Sequence, residues 1–400
     1  MTPRPTADPS IGERVRARRL LRGWSIRFAA SRAGVSHTTW SRIERGHLAA
    51  DNRFMLADLA TALDCAPSDL AGAPVPATDR NVVAAHAGVH ALRQALIDID
   101  PAEPAERTAP PLAQLTRTLA LVDTLRQACG YAGAARLLPD LLRDLHAASS
   151  GPERGQALRM LCDATFIASS VLRNLGHPAE AWLGAERCRS AAEATEDQIL
   201  LGYAEYARAC AASVCGSWQR ALALGTRAVD ALRGSTGRPG GAELTGTLQL
   251  MCAHASRGAR RPDDSRAWVA EATALAATSG ETSTMGLYFG PTNVAIWCIG
   301  IEVDGDSPGR AVELARATSP AVIPAGFRQV FFYADTARAL ARMRGREEQA
   351  LRFLLTAERV APQHIHTSAV AQETTRSLLE RARRAAGGTE LRGLCARMGV

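Results

Sequence analysis

The chain contains no lysine, so all 47 basic residues among its 400 are arginine. Schiff-base chemistry and the phosphate-gripping lysine of a P-loop are thereby excluded. Neither G-x-x-x-x-G-K-[ST] nor G-x-G-x-x-G occurs, which removes the usual signatures of nucleotide binding. The single G-x-S-x-G spelling, GDSPG at 305–309, falls in a turn between two helices and not between the strand and helix that acyl transfer uses. Metal chemistry lacks a motif too. His86 and His90 stand four apart, but no glutamate follows His86 as in H-E-x-x-H, so surface histidines are expected there. His364 and His366 are likewise expected at the surface, in a turn. The nine cysteines are odd in number, scattered, and never spaced C-x-x-C, as reduced, buried thiols would be. No run of about 18 apolar residues exists, so no membrane span is expected. The opening Met-Thr-Pro-Arg-Pro-Thr has no apolar stretch of a secretory signal, and a cytoplasmic location follows as the expectation. With neither catalytic constellation nor cofactor motif, a non-enzyme without cofactor or metal is expected.

What is present is a composition 46% hydrophobic and 22% charged, which places the chain among globular proteins of two or three domains. Its charge is unevenly placed. Residues 1–53 hold 11 arginines against four acids (Asp8, Glu13, Glu44, Asp51), and the other 347 residues hold 36 of each. One terminal segment carries the whole net charge of +7, and a basic patch of that kind points to an anionic partner such as nucleic acid.

That segment, from Ile11, reads as short capped helices. Ile11, Val15 and Leu20–Leu21 form an apolar stripe closed by Gly23, and Ser25 caps a helix running to Ala33. Gly34 supplies a turn, Ser36 caps a third helix to Arg45, and Gly46 ends it. A fourth helix is expected over about 53–63 and a short one after Pro67. The phrase A-x-x-A-G-V-S followed by W-S-R-I-E-R-G resembles the lambda-repressor-like (XRE) helix-turn-helix over residues 11–71. The resemblance implies that the third helix reads the major groove, with Ser36, His37, Thr38 and Thr39 at its start and Ser41, Arg42 and Arg45 further along. It also implies that Trp40 and Ile43 face the core and that Arg19 pairs with Glu44. Where the family commonly has a phosphate-gripping glutamine stands Ile26, so Arg27 is the candidate for that contact.

Residues 1–10 read as a disordered tail and 72–80, with two prolines, as a linker. From 81 to 400 the chain reads as helices of 15–22 residues recurring in pairs. A turn ending in alanine repeats as GHPAEA to Ala181, GSWQRA to Ala221, RPDDSRA to Ala267, DSPGRA to Ala311 and GREEQA to Ala350. This resembles a degenerate, lengthened tetratricopeptide repeat, which implies a right-handed helical solenoid with a concave face. An XRE module joined to such an array resembles the peptide-pheromone-sensing regulators of Gram-positive bacteria. It is also similar to actinobacterial regulators carrying a phrase like FGPTNVAIW at 289–297.

The expected fold is therefore all-α, a five-helix lambda-repressor-like domain followed by the solenoid. The expected function is a homodimeric transcriptional regulator of double-stranded DNA with an inverted-repeat operator, modulated by a peptide or small molecule. A protein-interaction scaffold with an auxiliary helix-turn-helix is the alternative. Candidate effector residues are Asn174, Asn293, Tyr288, Trp297, Arg328 and Phe332. Asn293 either meets a ligand or, with Pro291, merely starts a helix. Arg328 either anchors an acidic ligand or pairs with Asp335.

Overall fold

The computed structural model describes residues 9–72, 79–105, 107–384 and 388–400, and no strand occurs among them. Residues 1–8 of the expected tail and 73–78 of the expected linker lie outside the described residues. Five helices come first: α1 (Ile11–Leu21), α2 (Ile26–Ala33), α3 (His37–Glu44), α4 (Arg53–Ala62) and α5 (Pro67–Ala71). Helix N-termini leave backbone amides unsatisfied, and Ser10, Ser25, Ser36 and Asn52 each accept from such an amide with their side chains. Gly34 ends α2 at φ 66°, a left-handed turn that glycine adopts without strain. The turn sends α3 across α2. Ile11, Val15, Trp40, Ile43, Leu59 and Leu63 fill the space between. Gly12 lets α1 and α3 touch at backbone distance, because a Cβ there would stand 2.1 Å from the Ile43 carbonyl oxygen.

Beyond residue 78 the chain stacks helices. It opens with α6 (Arg80–Asp98), α7 (Leu112–Gln127) and α8 (Tyr131–Ala148). Hairpins follow: α9 (Arg154–Asn174) with α10 (Pro178–Glu193), α11 (Gln198–Val214) with α12 (Trp218–Ala231), and α13 (Gly241–Gly258) with α14 (Pro262–Ser279). Then come α15 (Pro291–Asp304) with α16 (Pro308–Arg316), and α17 (Gly326–Ala341) with α18 (Glu347–Val360). α19 (Pro362–Thr367), α20 (Ala369–Arg384) and α21 (Thr389–Met398) finish the chain. The first helices of successive hairpins pack side by side from α7 to α17, and α20 continues the row.

The repeat signal in the sequence needs one correction. Ala181, Ala221, Ala311 and Ala350 are wholly buried, but Ala267 is exposed. The second helices begin at Pro178, Trp218, Pro262, Pro308 and Glu347, so the fourth helical residues are Ala181, Ala221, Ser265, Ala311 and Ala350. Ser265 is buried, and the repeat spacings become 40, 44, 46 and 39 residues. The close approach of two helices needs a small side chain at that turn of the helix, and serine serves as well as alanine. Likewise Ala272, seven residues after Ser265, is buried, and Ala274 is exposed.

The two ends of the array meet. α6 packs on α19 and α7 on α17. The Tyr131 hydroxyl and His364 Nδ1 are 2.8 Å apart, and the Ala132 N–H donates to Gln363 Oε1 at 3.0 Å. The expectation that His364 and His366 are surface residues fails for this reason: both are buried in the seam, His366 between the Asp79 and Glu358 carboxylates.

Candidate functional site

One side of α3 is locked. Glu44 takes a fork from Arg19 (Nε–Oε1 2.5 Å, Nη2–Oε2 2.8 Å) and the Trp40 indole N–H at 2.5 Å. Arg19 also donates to the Trp24 carbonyl at 2.7 Å, so its donors are committed inside the module. The opposite side is presented outward. His37, Thr38 and Arg42 are exposed, as is Arg27 on α2. Ser36 caps the helix, its hydroxyl accepting the Thr39 N–H at 3.0 Å. Arg45 lies back along α3, donating to Ser41 Oγ at 2.8 Å and to the Ser41 carbonyl at 3.1 Å. Arg42 reaches only the His47 carbonyl, at 3.5 Å, and is free to extend. The hydrogen bonds of α3 side chains among the described residues stay within the module.

The segment before α4, by contrast, is built into the array. Arg53 contacts Asp304 Oδ2 at 2.7 Å and Asp335 Oδ1 at 3.0 Å. Arg338 pairs with Asp335 at 2.7 Å, pairs with Asp304, and donates to the Asp51 carbonyl at 2.6 Å. Arg342 pairs with Asp51 at 2.7 Å. Three guanidiniums thus face three carboxylates, and Arg338 and Asp304 are almost wholly buried. Burial alone would raise the Asp304 carboxyl, but Arg338 and Arg53 beside it hold it well below the usual carboxylate range. A second contact, Arg260 to Asp58 at 2.9 Å and to the Ala33 carbonyl at 3.3 Å, fixes the module's other flank.

Between the module and the inner helices lies a cavity of about 360 Å³, within the range of small-molecule sites. Arg53, Leu56 and Pro67 of the module form part of its wall, and α7, α9, α11, α15 and α17 supply much of the rest. Of the sequence-predicted effector residues, Asn174, Trp297 and Arg328 line it. Tyr288, Asn293 and Phe332 stand outside it. Asn293 is the third residue of α15, fully buried, its amide toward the Leu287 carbonyl at 3.4 Å, so the helix-start reading describes its place. Tyr288 hydrogen-bonds Gln127, and Phe332 packs edge-on against Tyr333. Arg328 does not pair with Asp335, whose carboxylate is taken by Arg53 and Arg338. Sequence reasoning missed Arg126 and Arg173, which also line the cavity. Each is one basic residue in an amphipathic helix, and nothing local distinguishes it from a solvated one. His86 is half-buried against His177, with 3.0 Å between ring nitrogens, and His90 is exposed. Among the described residues no group of three His, Cys, Asp or Glu gathers as metal ligands.

Residues 10–72 match the family model described as a helix-turn-helix domain. No curated protein matches the chain. Among solved structures it is similar to PlcR of Bacillus thuringiensis, crystallised in complex with the peptide PapR7 and DNA. That likeness has 13% sequence identity, covers 68% of this chain and 96% of PlcR, and has a TM-score of 0.32.

Proposed function

We propose that the chain is a dimeric, sequence-specific transcriptional regulator and not an enzyme, with residues 11–71 as its DNA-binding domain. Residues 81–400 then serve dimerisation and the sensing of a peptide or small molecule. The observation that carries this reading is the division of the module's surface: α4 and the loop before it are anchored in the array, and α3 faces away with His37, Thr38 and Arg42 exposed. The hydroxyls of Thr38, Thr39 and Ser41 suit base edges and phosphates, and the Arg42 guanidinium suits guanine. Arg27, Ser36, His37 and Arg45 flank that strip and complete the interface. Two copies would place their α3 helices in successive major grooves of an inverted repeat, about 34–36 Å apart. An effector must favour one arrangement of module and array over another to switch anything, and the cavity touches both. The reading places the protein in the cytoplasm; no helix among the described residues is long and apolar enough to cross a membrane.

The test is selection from a randomised duplex library with the full chain, followed by anisotropy titrations. An inverted repeat should be enriched. Combining Arg42→Ala with Thr38→Ala should weaken binding at least tenfold, since a good base contact contributes about 1–3 kcal/mol of discrimination. Affinity should also drop by orders of magnitude over about a fourfold rise in salt. Unchanged affinity in the double variant removes α3 as the reading helix. A chain that enriches no sequence leaves the interaction-scaffold reading instead.

A further inference from the structure

The cavity holds more positive charge than its own acids balance. Arg173 and Arg328 line it, and neither forms an ion pair among the described residues. Arg328 is only 6% exposed, its Nε has no hydrogen-bond partner, and its guanidinium lies over the Phe327 ring at 4.8 Å and the Trp297 ring at 5.7 Å. Of the wall's other two arginines, Arg53 is held by Asp304 and Asp335, and Arg126 has a single carboxylate, Asp123, at 2.7 Å. The indole N–H groups of Trp218 and Trp297, two more wall residues, also lack acceptors. Burying an unpaired charge is costly, and a guanidinium does not escape the cost by losing its proton. At the joint a few residues away, the same fold gives each of three arginines a carboxylate. The imbalance in the cavity is therefore a local one, and it is of one sign.

We propose that this cavity is a binding site for a small organic acid: an anionic head, carboxylate or phosphate, on a flat apolar body. The head would sit between Arg173 and Arg328, and the body would lie along the aromatic wall of Phe166, Phe327 and Phe331. A volume of about 360 Å³ suits a body of one or two rings. Cationic compounds of the same shape are repelled, and neutral ones bind more weakly because they leave both guanidiniums unpaired. This assignment rests on the effector reading above and gives it a ligand class. Because Arg53, Leu56 and Pro67 belong to the module, an occupant there touches the domain whose position it would have to govern.

Titration calorimetry on the full chain tests it with probes that share a body and differ in head: indole-3-acetate, indole-3-acetamide and tryptamine, with phenyl phosphate as the phosphate arm. At least one acid should bind tenfold or more tighter than the amide, tryptamine should not bind, and the tighter acid identifies the head. Arg328→Met and Arg173→Met should each weaken acid binding at least tenfold. Their ligand-free melting temperatures should hold or rise, because each removes an uncompensated charge. Tryptamine binding as well as the acids, or both acids failing at millimolar concentration, overturns the proposal. So does a lowered melting temperature with acid affinity intact, which would make the arginines structural. DNA titrations run beside these separate the two readings. Acid binding that leaves DNA affinity unchanged keeps the site and ends the effector role.

Discussion

Glu44 meets three donors, two from Arg19 and one from Trp40, in a pocket where both ionic partners are nearly buried. Taking away one member of such a pair leaves a buried charge uncompensated, which costs about 3–5 kcal/mol. Glu44→Ala should therefore lower module stability by that amount in urea titrations. Ser10→Ala, which removes only a cap, should cost about 1 kcal/mol. Equal losses would contradict the assignment. The Arg19–Glu44 pair was legible in the sequence because the motif fixes its positions. The cap was legible too, since Ser10 and Glu13 spell the S-x-x-E of a capping box whose two bonds both form. Ser10, the last residue of the expected tail, thus belongs to the cap of α1. The burial of His364 and His366 was not legible. Tyr131 covers His364 and Asp79 meets His366, each from more than two hundred residues away, and no local pattern reports either contact.

Among elements, the helix bounds of the module were readable almost to the residue, since serines, glycines and an asparagine punctuate it. The array's repeat was readable in kind and slipped by two positions in α14. Alanine was aligned there, although the physical constraint is a small side chain on the fourth helical residue. The two registers separate experimentally. Ser265→Leu places four carbons where the helices touch and should cost about 1–3 kcal/mol or more. Ala267→Leu, exposed on the same helix, should stay within about 0.5 kcal/mol of wild type. Reversed effects in chemical denaturation would restore the alanine register.

At the scale of the molecule, sequence separation set the limit of inference. Asp51 and Arg342 pair across 291 positions, and neither has a neighbour in sequence that hints at the other. The joint between module and array was invisible for that reason, and the cavity with it. The whole fold should also respond to acid. Burial pushes His86, His254 and His364 down to about 4, against about 6.5 for an unperturbed histidine. Between those values the unfolded chain binds more protons than the folded one, so stability rises with pH across that window. Asp163, pushed up to about 7 by burial and then by Asp123, acts in the opposite sense, as do Asp144 and Glu373, raised by burial, while His177, lowered by burial, adds to the three histidines. The melting temperature should fall on going from pH 7.5 to pH 5, and a flat profile in calorimetry would refute the burial of these imidazoles.

The seam where Tyr131 meets His364 and Ala132 meets Gln363 decides what kind of mechanical object the array is. An open stack of hairpins is a spring: it lengthens or coils by small rotations between neighbours, and its end units fray alone. Joining the ends makes a hoop. A hoop cannot stretch without first breaking at the clasp, so strain at one hairpin spreads around the whole circumference. Motion between the array and its DNA-binding module then has to work at the clasp or at the two contacts that hold the module, the ionic seat of Arg53 and the Arg260–Asp58 pair.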